Sequence, residues 1–291
     1  MNGFINFYKP SGMSSAYALS KIKRRFKGEK IGHMGTLDPM ASGVLPVAIG
    51  KATRLFDFLL DKTKLYRAEF TFGYETDTLD ADGEVIKTDG KIPNFDKVLK
   101  ASQELVGEIL QVPPIYSAKN VNGKRSYELA REGKVVELPP KKVEILSIKP
   151  TQTEKKQTFI FDIECKGGTY IRSIARDIAT KLGTFATMTS LIRLKSGYFD
   201  IENAYLIDDI VNSSELSSML IKPDALLSYE SLLLDDKKAD DLINGRPCCI
   251  EMNDGYYKVY DKSCFIGVGI ILNKNLKIKA YLKDWYGYFG I

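Results

Sequence analysis

Apolar residues recur at helical spacing in three stretches of the chain. In the first stretch, Ala18, Ile22 and Phe26 repeat every four residues after two serines that can cap a helix. The other two helices are predicted to follow Asn94 and to start near Thr169. Their inward faces are predicted to carry Phe95, Val98, Leu99, Leu105 and Val106 in the second helix, and Ile171, Ile174, Ala175, Ile178 and Leu182 in the third.

Other stretches alternate between apolar and polar side chains, which is typical of half-buried strands. Residues 65–73 and 159–165 show this pattern, and an acidic turn separates the first of them from a return strand that begins at Val85. From about residue 228, short alternating segments are separated by Gly, Asn and Asp. They predict a small β-rich second domain after an acidic boundary segment, residues 196–234.

Composition is ordinary, but the charge is unevenly placed. The chain has 291 residues, of which 44% are hydrophobic and 27% charged, and this length predicts about two domains. The net charge is +5, yet residues 1–60 carry nine basic and three acidic side chains, whereas residues 196–234 carry one and seven. The basic region suggests a polyanionic partner such as nucleic acid. The alternative is that the positive charge only maintains solubility, and the charge by itself favours this alternative.

The histidine and cysteine content narrows the possible chemistry. His33 is the only histidine and the four cysteines form no C-x-x-C pair, which excludes His-rich metal sites and gives no support to a zinc ribbon. No run of 18 apolar residues predicts a membrane span, and the first residues do not resemble a signal peptide. We therefore expect a cytoplasmic protein with reduced cysteines.

Two segments do not fit regular elements. Residues 113–143 are basic and bounded by prolines, which predicts a long insertion with a short helix near residues 127–131. Residues 78–89 partly match a calcium-binding loop, but Thr78 and Asp89 stand at its first and last positions. An acidic hairpin turn is therefore the favoured interpretation of that segment.

The most informative segment is GHMGTLDPMASGVLP, residues 32–46. Its glycines and prolines interrupt any regular element and predict a shaped loop that suits close approach of a ligand. The loop contains the only histidine and one carboxylate, Asp38, directly before a proline. By local chemistry alone, Asp38 is best explained as the first residue of a turn.

This loop resembles a segment of the TruB family of bacterial tRNA pseudouridine-55 synthases. The strings KPSGMSS at residues 9–15 and KGGTYIRSIARDIATKLG at 166–183 resemble the same family. Three further similar strings are YRAEFTFGYETDTLDADGE at 66–84, PPIYSAKNVNGKRSYELAREG at 113–133 and LIRLKSG at 191–197. Together these strings cover most of residues 4–200 in the order that the family shows.

The resemblance implies a fold, a reaction and a partner. The implied fold is α+β, a pseudouridine-synthase fold with a mixed, mainly antiparallel sheet flanked by helices and a small C-terminal β-rich PUA-like domain. Residues 1–215 would form the catalytic domain, with 113–143 as an RNA-gripping insertion, and residues 225–291 the RNA-binding domain. The implied reaction isomerises uridine 55 in the T-arm loop of tRNA to pseudouridine without a cofactor or a metal ion. We expect tRNA as the partner of a monomer that needs neither a membrane nor an obligatory protein partner.

By this resemblance, Asp38 is the catalytic residue. A carboxylate can attack C1′ of the ribose or remove a sugar proton, and it can stabilise positive charge at the anomeric carbon. The sequence leaves both routes open. Arg172, the arginine of the TYIR string, is the expected cation that keeps Asp38 ionised. The alternative for Arg172 is a surface charge paired with Asp177 or with another acidic residue.

Other matched residues would bind the substrate. Tyr66 and Tyr170 are the expected partners of an extruded uracil, Leu191 packs around the base, and His33 occupies the space that the flipped nucleotide leaves. The alternative for Tyr66 and Leu191 is ordinary core packing, and for His33 a structural role. Phosphate contacts are expected from Lys21, Arg24, Arg25, Lys124 and Arg125. The alternative for the charges on the first helix is a solvated face.

Two other functions stay open at the level of the sequence. The chain could be a non-catalytic tRNA-binding or tRNA-folding chaperone on the same scaffold, or a pseudouridine synthase that acts on another RNA. An aspartate retained inside an intact motif favours the enzyme.

Overall fold

The computed structural model describes residues 1–59, 62–116, 120–121, 124–125, 138–262 and 264–282. The strands within these ranges are β1 (Gly3–Lys9), β2 (Ile31–His33), β3 (Ser42–Ile49), β4 (Lys64–Phe72), β5 (Tyr74–Thr76), β6 (Val85–Thr88), β7 (Gly107–Gln111), β8 (Asn120–Val121), β9 (Lys124–Arg125), β10 (Lys141–Gln152), β11 (Thr158–Cys165), β12 (Ala186–Ser196), β13 (Phe199–Asp200), β14 (Glu230–Leu234), β15 (Cys248–Cys249), β16 (Gly255–Asp261), β17 (Cys264–Leu272) and β18 (Asn275–Tyr281). The α-helices are α1 (Ser15–Lys23), α2 (Phe95–Gln103), α3 (Ile171–Leu182), α4 (Ile207–Asn212) and α5 (Asp236–Ile243). Short 3-10 helices cover Arg24–Phe26, Gly50–Phe58, Ile201–Asn203, Leu216–Met219 and Pro223–Leu226.

A nine-stranded sheet organises the first two thirds of the chain. Its main path runs β1-β3-β12-β4-β11-β10-β7, with β2 on β3 and β13 on β12. Only β3 and β12 pair in parallel among these described strands. Helix α2 packs against β10 and α3 packs against β12. The prediction of a mixed, mainly antiparallel sheet flanked by helices is confirmed.

The structure confirms the predicted helix caps but not one of the predicted inward residues. Ser14 caps α1 by accepting a hydrogen bond from the backbone N–H of Tyr17, and Asn94 caps α2 in the same way. The predicted stripe of α1 is buried. Val106, however, is 43% exposed. Its prediction as an inward residue was wrong because α2 ends at Gln103 and the helical period no longer applies beyond it.

A second, five-stranded sheet follows in the order β14-β16-β17-β18-β15. It confirms the short strands predicted after residue 228. The hairpin turn predicted within residues 78–89 is also confirmed, since β5 and β6 pair across it. The helix predicted near residues 127–131 lies outside the described residues. No helix in the described ranges is long and apolar enough to cross a membrane.

The two sheets share an apolar cluster. Phe4, Val44 and Leu55 from the first part of the chain pack with Val268 and Ala280 of the second sheet. Arg54 adds a polar contact, since its guanidinium donates to the carbonyl oxygen of Tyr281 at 2.8 Å. The second sheet is therefore packed against the back of the segment that leads from β3 to β4.

The parallel pairing of β3 and β12 depends on a glycine. Gly43 has a φ of +105°, and a Cβ atom there would lie 2.3 Å from the carbonyl oxygen of its partner Arg193. Gly43→Ala is expected to lower the free energy of unfolding by about 3 kcal/mol, because it adds a backbone clash to the strain of a positive φ. Urea denaturation measures this loss.

Gly28→Ala is the matched control for Gly43→Ala. Gly28 also has a positive φ, +80°, but a Cβ atom there would meet nothing within 4 Å. We expect a loss of about 1 kcal/mol from backbone strain alone. Equal losses in the two variants would contradict the close approach of β3 and β12.

Candidate active site

The loop between β2 and β3 is held by the last residue of β1 and the first residue of α1. The fully buried Lys9 donates from Nζ to the carbonyl oxygens of Ala41 at 2.6 Å and Pro39 at 3.3 Å. Ser15 Oγ accepts from the backbone N–H of Leu37 at 2.8 Å. These contacts fix the backbone on both sides of Asp38. The similarity of residues 9–15 and 32–46 to one family therefore has a common physical basis, because one segment supports the other.

Arg172 joins the loop to the acidic hairpin turn. Its Nη2 lies 3.0 Å from Oδ1 of Asp38, and its Nη1 lies 3.2 Å from Oδ2 of Asp80. The same guanidinium donates to the carbonyl oxygens of Thr78 and Tyr116, each at 3.0 Å. The Arg172 side chain is only 7% exposed, and so one buried cation bridges two carboxylates and the start of the 113–143 insertion.

The two carboxylates differ in access to solvent. The side chain of Asp38 is 32% exposed and that of Asp80 is 6% exposed. Desolvation raises the pKa of Asp38 above its ordinary value, Arg172 lowers this pKa, and Asp80 raises it again. Asp38 is therefore the more accessible of the two carboxylates, and its ionisation depends on Arg172.

The alternative interpretation of Arg172 as a surface charge is wrong. Asp177 pairs instead with Arg176, at 2.8 Å. Arg172 enters the interior because it occupies the first turn of α3, whose buried face points to β12. Asp80 is a functional candidate that the sequence analysis assigned only to a turn. Its signal was present, because the string at residues 66–84 contains it.

Tyr66 and Leu191 lie on neighbouring strands beside this centre. Tyr66 of β4 is paired in register with Arg193 of β12, and Leu191 is paired with Ala68. Both Tyr66 and Leu191 are buried members of the apolar core, as the alternative predicted. Burial raises the pKa of Tyr66, the nearby Arg193 lowers it, and the Asp38 carboxylate raises it. Tyr66 is therefore both a core residue and a neighbour of Asp38.

Tyr170 is positioned by a glutamine that the sequence analysis did not single out. It precedes α3 as its N-terminal cap residue. The buried amide of Gln111 accepts from the backbone N–H of Tyr170 at 2.8 Å and donates to its carbonyl oxygen at 3.2 Å. Gln111 ends β7 two residues before the 113–143 insertion, so Tyr170 is tied to the start of that segment.

His33 stands at the end of β2, where the loop begins. Its ring is half-buried, and its Nδ1 atom is buried without a hydrogen-bond partner in the described part of the chain. Burial lowers the pKa of His33, and the Arg193 guanidinium lowers it further, so the ring is neutral at pH 7. A neutral ring at the mouth of the loop is suited to stacking.

The predicted phosphate contacts fall in two places. Lys21, Arg24 and Arg25 are exposed along α1 and the 3-10 turn that follows it. Arg25 also donates to the carbonyl oxygen of Ser213. Lys124 and Arg125 form β9, which pairs with β8, and only their backbone is described. Among the described residues, no three His, Cys, Asp or Glu side chains gather as a set that could hold a metal ion.

Comparison with known sequences agrees with this geometry. Residues 23–171 match the family model described as TruB family pseudouridylate synthase, N-terminal domain. The chain is 39% identical to a tRNA pseudouridine synthase B of Aquifex aeolicus, over 97% of this chain and 100% of that protein. It is 37% identical to the protein of that name from Caldanaerobacter subterraneus, over 96% of this chain and 98% of the relative.

Solved structures show the same fold at lower sequence identity. A Cbf5-Nop10-Gar1 complex contains a chain with a TM-score of 0.68 and 24% identity, and the match covers 96% of this chain and 79% of that one. An H/ACA ribonucleoprotein bound to a substrate RNA gives a TM-score of 0.70 at 22% identity, with coverages of 97% and 85%. The family match, the near full-length relatives and the fold lead to one conclusion: the chain belongs to the TruB family of pseudouridylate synthases, which are isomerases.

Proposed function

We propose that the protein isomerises uridine 55 in the T-arm loop of tRNA to pseudouridine. The observation that carries this proposal is the partly exposed Asp38, bound to the buried Arg172, with Tyr66 close enough for the Asp38 charge to raise its pKa. The relatives named tRNA pseudouridine synthase B support tRNA as the substrate. A tRNA substrate favours the cytoplasm as the place of action.

The reaction requires a carboxylate next to the sugar. The bond between N1 of uracil and C1′ of ribose breaks, the released uracil turns, and C5 forms a new bond with C1′. A proton leaves C5 and N1 gains one, so the product is an isomer of the substrate. Asp38 either bonds to C1′ or removes a sugar proton, and in both routes it must be ionised. Arg172 favours that state because it stabilises the carboxylate charge.

The target must leave the stacked loop before it can react. Base flipping costs roughly a few kcal/mol, and stacking on Tyr170 and Tyr66 offsets part of this cost, since a base–aromatic contact is worth about 1–3 kcal/mol. Contacts from Lys21, Arg24 and Arg25 to phosphates add sequence-independent affinity. His33 occupies the space that the base vacates.

The rest of the chain would act as a clamp. We assign catalysis to residues 1–215 and RNA binding to a PUA-like domain, residues 225–291. The 113–143 insertion grips the RNA, and its attachment to Arg172 through Tyr116 supports a direct link to the active site. We propose that one monomer performs the reaction without an obligatory protein partner.

The test is to incubate an unmodified tRNA transcript with the protein and to map pseudouridine by its chemical adduct. Pseudouridine at position 55 alone is the expected result. A transcript that is bound but never modified would favour the non-catalytic chaperone. Product at another position, or only in a different RNA, would overturn the assignment of uridine 55.

A further inference from the structure

A pocket outside the Asp38 centre lies against the first residues of the catalytic loop. Its volume is about 270 Å³. The residues that line it are His33, Met34, Gly35, Phe56, Leu59, Lys62, Lys64, Gly167, Ser196, Gly197, Tyr198 and Phe199. These residues include two lysines and no acidic residue, so the pocket is positively charged. The rest of its lining is mostly apolar.

A second cation lies beneath this pocket, and no carboxylate of the described ranges pairs with it. Arg193 has 0% of its surface exposed. Its Nε donates to the carbonyl oxygen of Val44 at 2.6 Å and its Nη2 to that of Gly35 at 3.1 Å. Its Nη1 is buried and has no hydrogen-bond partner among the described residues. A buried cation with an unsatisfied donor is costly, although the Tyr66 hydroxyl lies close enough for this guanidinium to lower its pKa.

Lys64 and Arg193 approach the loop at the same point. A Cβ atom on Gly35 would lie 3.5 Å from Nζ of Lys64 and 3.8 Å from Nη1 of Arg193. Gly35 itself is exposed and has a φ of +97°. In the described part of the chain, neither cation forms an ion pair with a carboxylate. Two positive charges therefore converge on an open glycine backbone three residues before Asp38.

The electrostatics of Lys64 agree with an anion site at this position. Burial lowers its pKa to about 8, and the positive charge of Arg193 lowers it in the same direction. Lys64 remains mostly protonated at pH 7. An anion beside it would compensate both the desolvation and the like-charge repulsion.

We propose that this pocket binds one phosphate group of the substrate RNA, which lies over Gly35 in contact with Lys64 and above Arg193. The inference rests on the proposed function, because the RNA strand must pass the catalytic loop. A nucleotide fits better than a small free anion, since Phe56, Tyr198 and Phe199 offer apolar surface to its sugar and base. Held there, the phosphate fixes the strand on one side of the extruded uridine.

The test is the salt dependence of tRNA binding by Lys64→Gln. Each contact with a single-stranded phosphate contributes about 0.7 to the slope of log K against log salt concentration. We expect this slope to fall by about that amount in Lys64→Gln, with binding about tenfold weaker at 0.1 M salt. Lys64→Arg should retain the slope, because it keeps the charge. Lys97→Gln, an exposed lysine on α2, is the matched control and should behave like the unmodified protein.

The slope separates this inference from a structural role and from the proposed function. If Lys64→Gln only lowers stability, a smaller fraction of the protein is folded and binds tRNA, but the slope is unchanged. An unchanged slope would overturn the phosphate site. If the unmodified protein forms pseudouridine 55 and the slope of Lys64→Gln is unchanged, only the site is refuted. If the unmodified protein forms no product but the slope falls, the site stands and the proposed function fails.

Discussion

Asp38→Asn is expected to abolish pseudouridine formation, with a loss of roughly 10⁴-fold or more in the single-turnover rate on an unmodified T-arm transcript. The amide is close in size to the carboxylate, but it is neither a nucleophile nor a base and it carries no charge. Rapid-quench sampling at saturating protein concentration measures the chemical step directly. The loss should therefore appear in the rate and not in the concentration needed for half-saturation.

Binding provides the second readout for Asp38→Asn. We expect the dissociation constant for tRNA to change by less than about threefold, because phosphate contacts dominate affinity. Asp208→Asn, an exposed carboxylate on α4, is the control for loss of one negative charge. Loss of binding together with loss of product would undermine the separate roles of Asp38 and the basic surface.

Arg172→Met is expected to give the second largest effect, a decrease in kcat of roughly 10²–10³-fold. The substitution removes the cation between Asp38 and Asp80, so the charges of these two carboxylates are no longer compensated by Arg172. The already raised pKa of Asp38 should then rise further. Because the ionised form is active, activity increases as pH rises through this pKa. The rising limb of the profile of kcat against pH should move to higher pH in the variant.

Two matched variants sharpen the test of Arg172. Arg176→Met removes the next arginine of α3, which binds Asp177 and the carbonyl oxygen of Val112, and should change kcat by less than about threefold because neither contact involves Asp38 or Asp80. Arg172→Lys should restore only part of the rate, since one ammonium group lacks the fork that reaches both carboxylates. An Arg172→Met profile that keeps its midpoint would contradict the role of Arg172 in the ionisation of Asp38.

The elements of this fold were predictable where their causes are local. Ser14 and Asn94 cap helices because each side chain accepts from a backbone N–H three residues later, so the cap is visible in the sequence. The alternation along β4 and β11 identifies strands because side chains of a strand face opposite sides in turn. Val106 was mispredicted because a periodic pattern does not show where the helix ends.

The site was predictable in a different way. Composition and spacing alone favoured a turn for Asp38 and a surface charge for Arg172. Both received a functional assignment only through the resemblance of long strings to one family. The structure supplies the physical reason, since Arg172 is 134 residues away from Asp38 in the chain and 3.0 Å away in space.

The sequence by itself determined the helix caps, the strand periodicity, the excess of basic charge near the start and the family. Only the tertiary structure decided that Asp80 shares a cation with Asp38, that Gln111 holds Tyr170, and that Lys64 and Arg193 approach the same glycine. These contacts join strands and loops far apart in the chain. Sheet register and burial create them, and neither leaves a periodic signal in the residues involved.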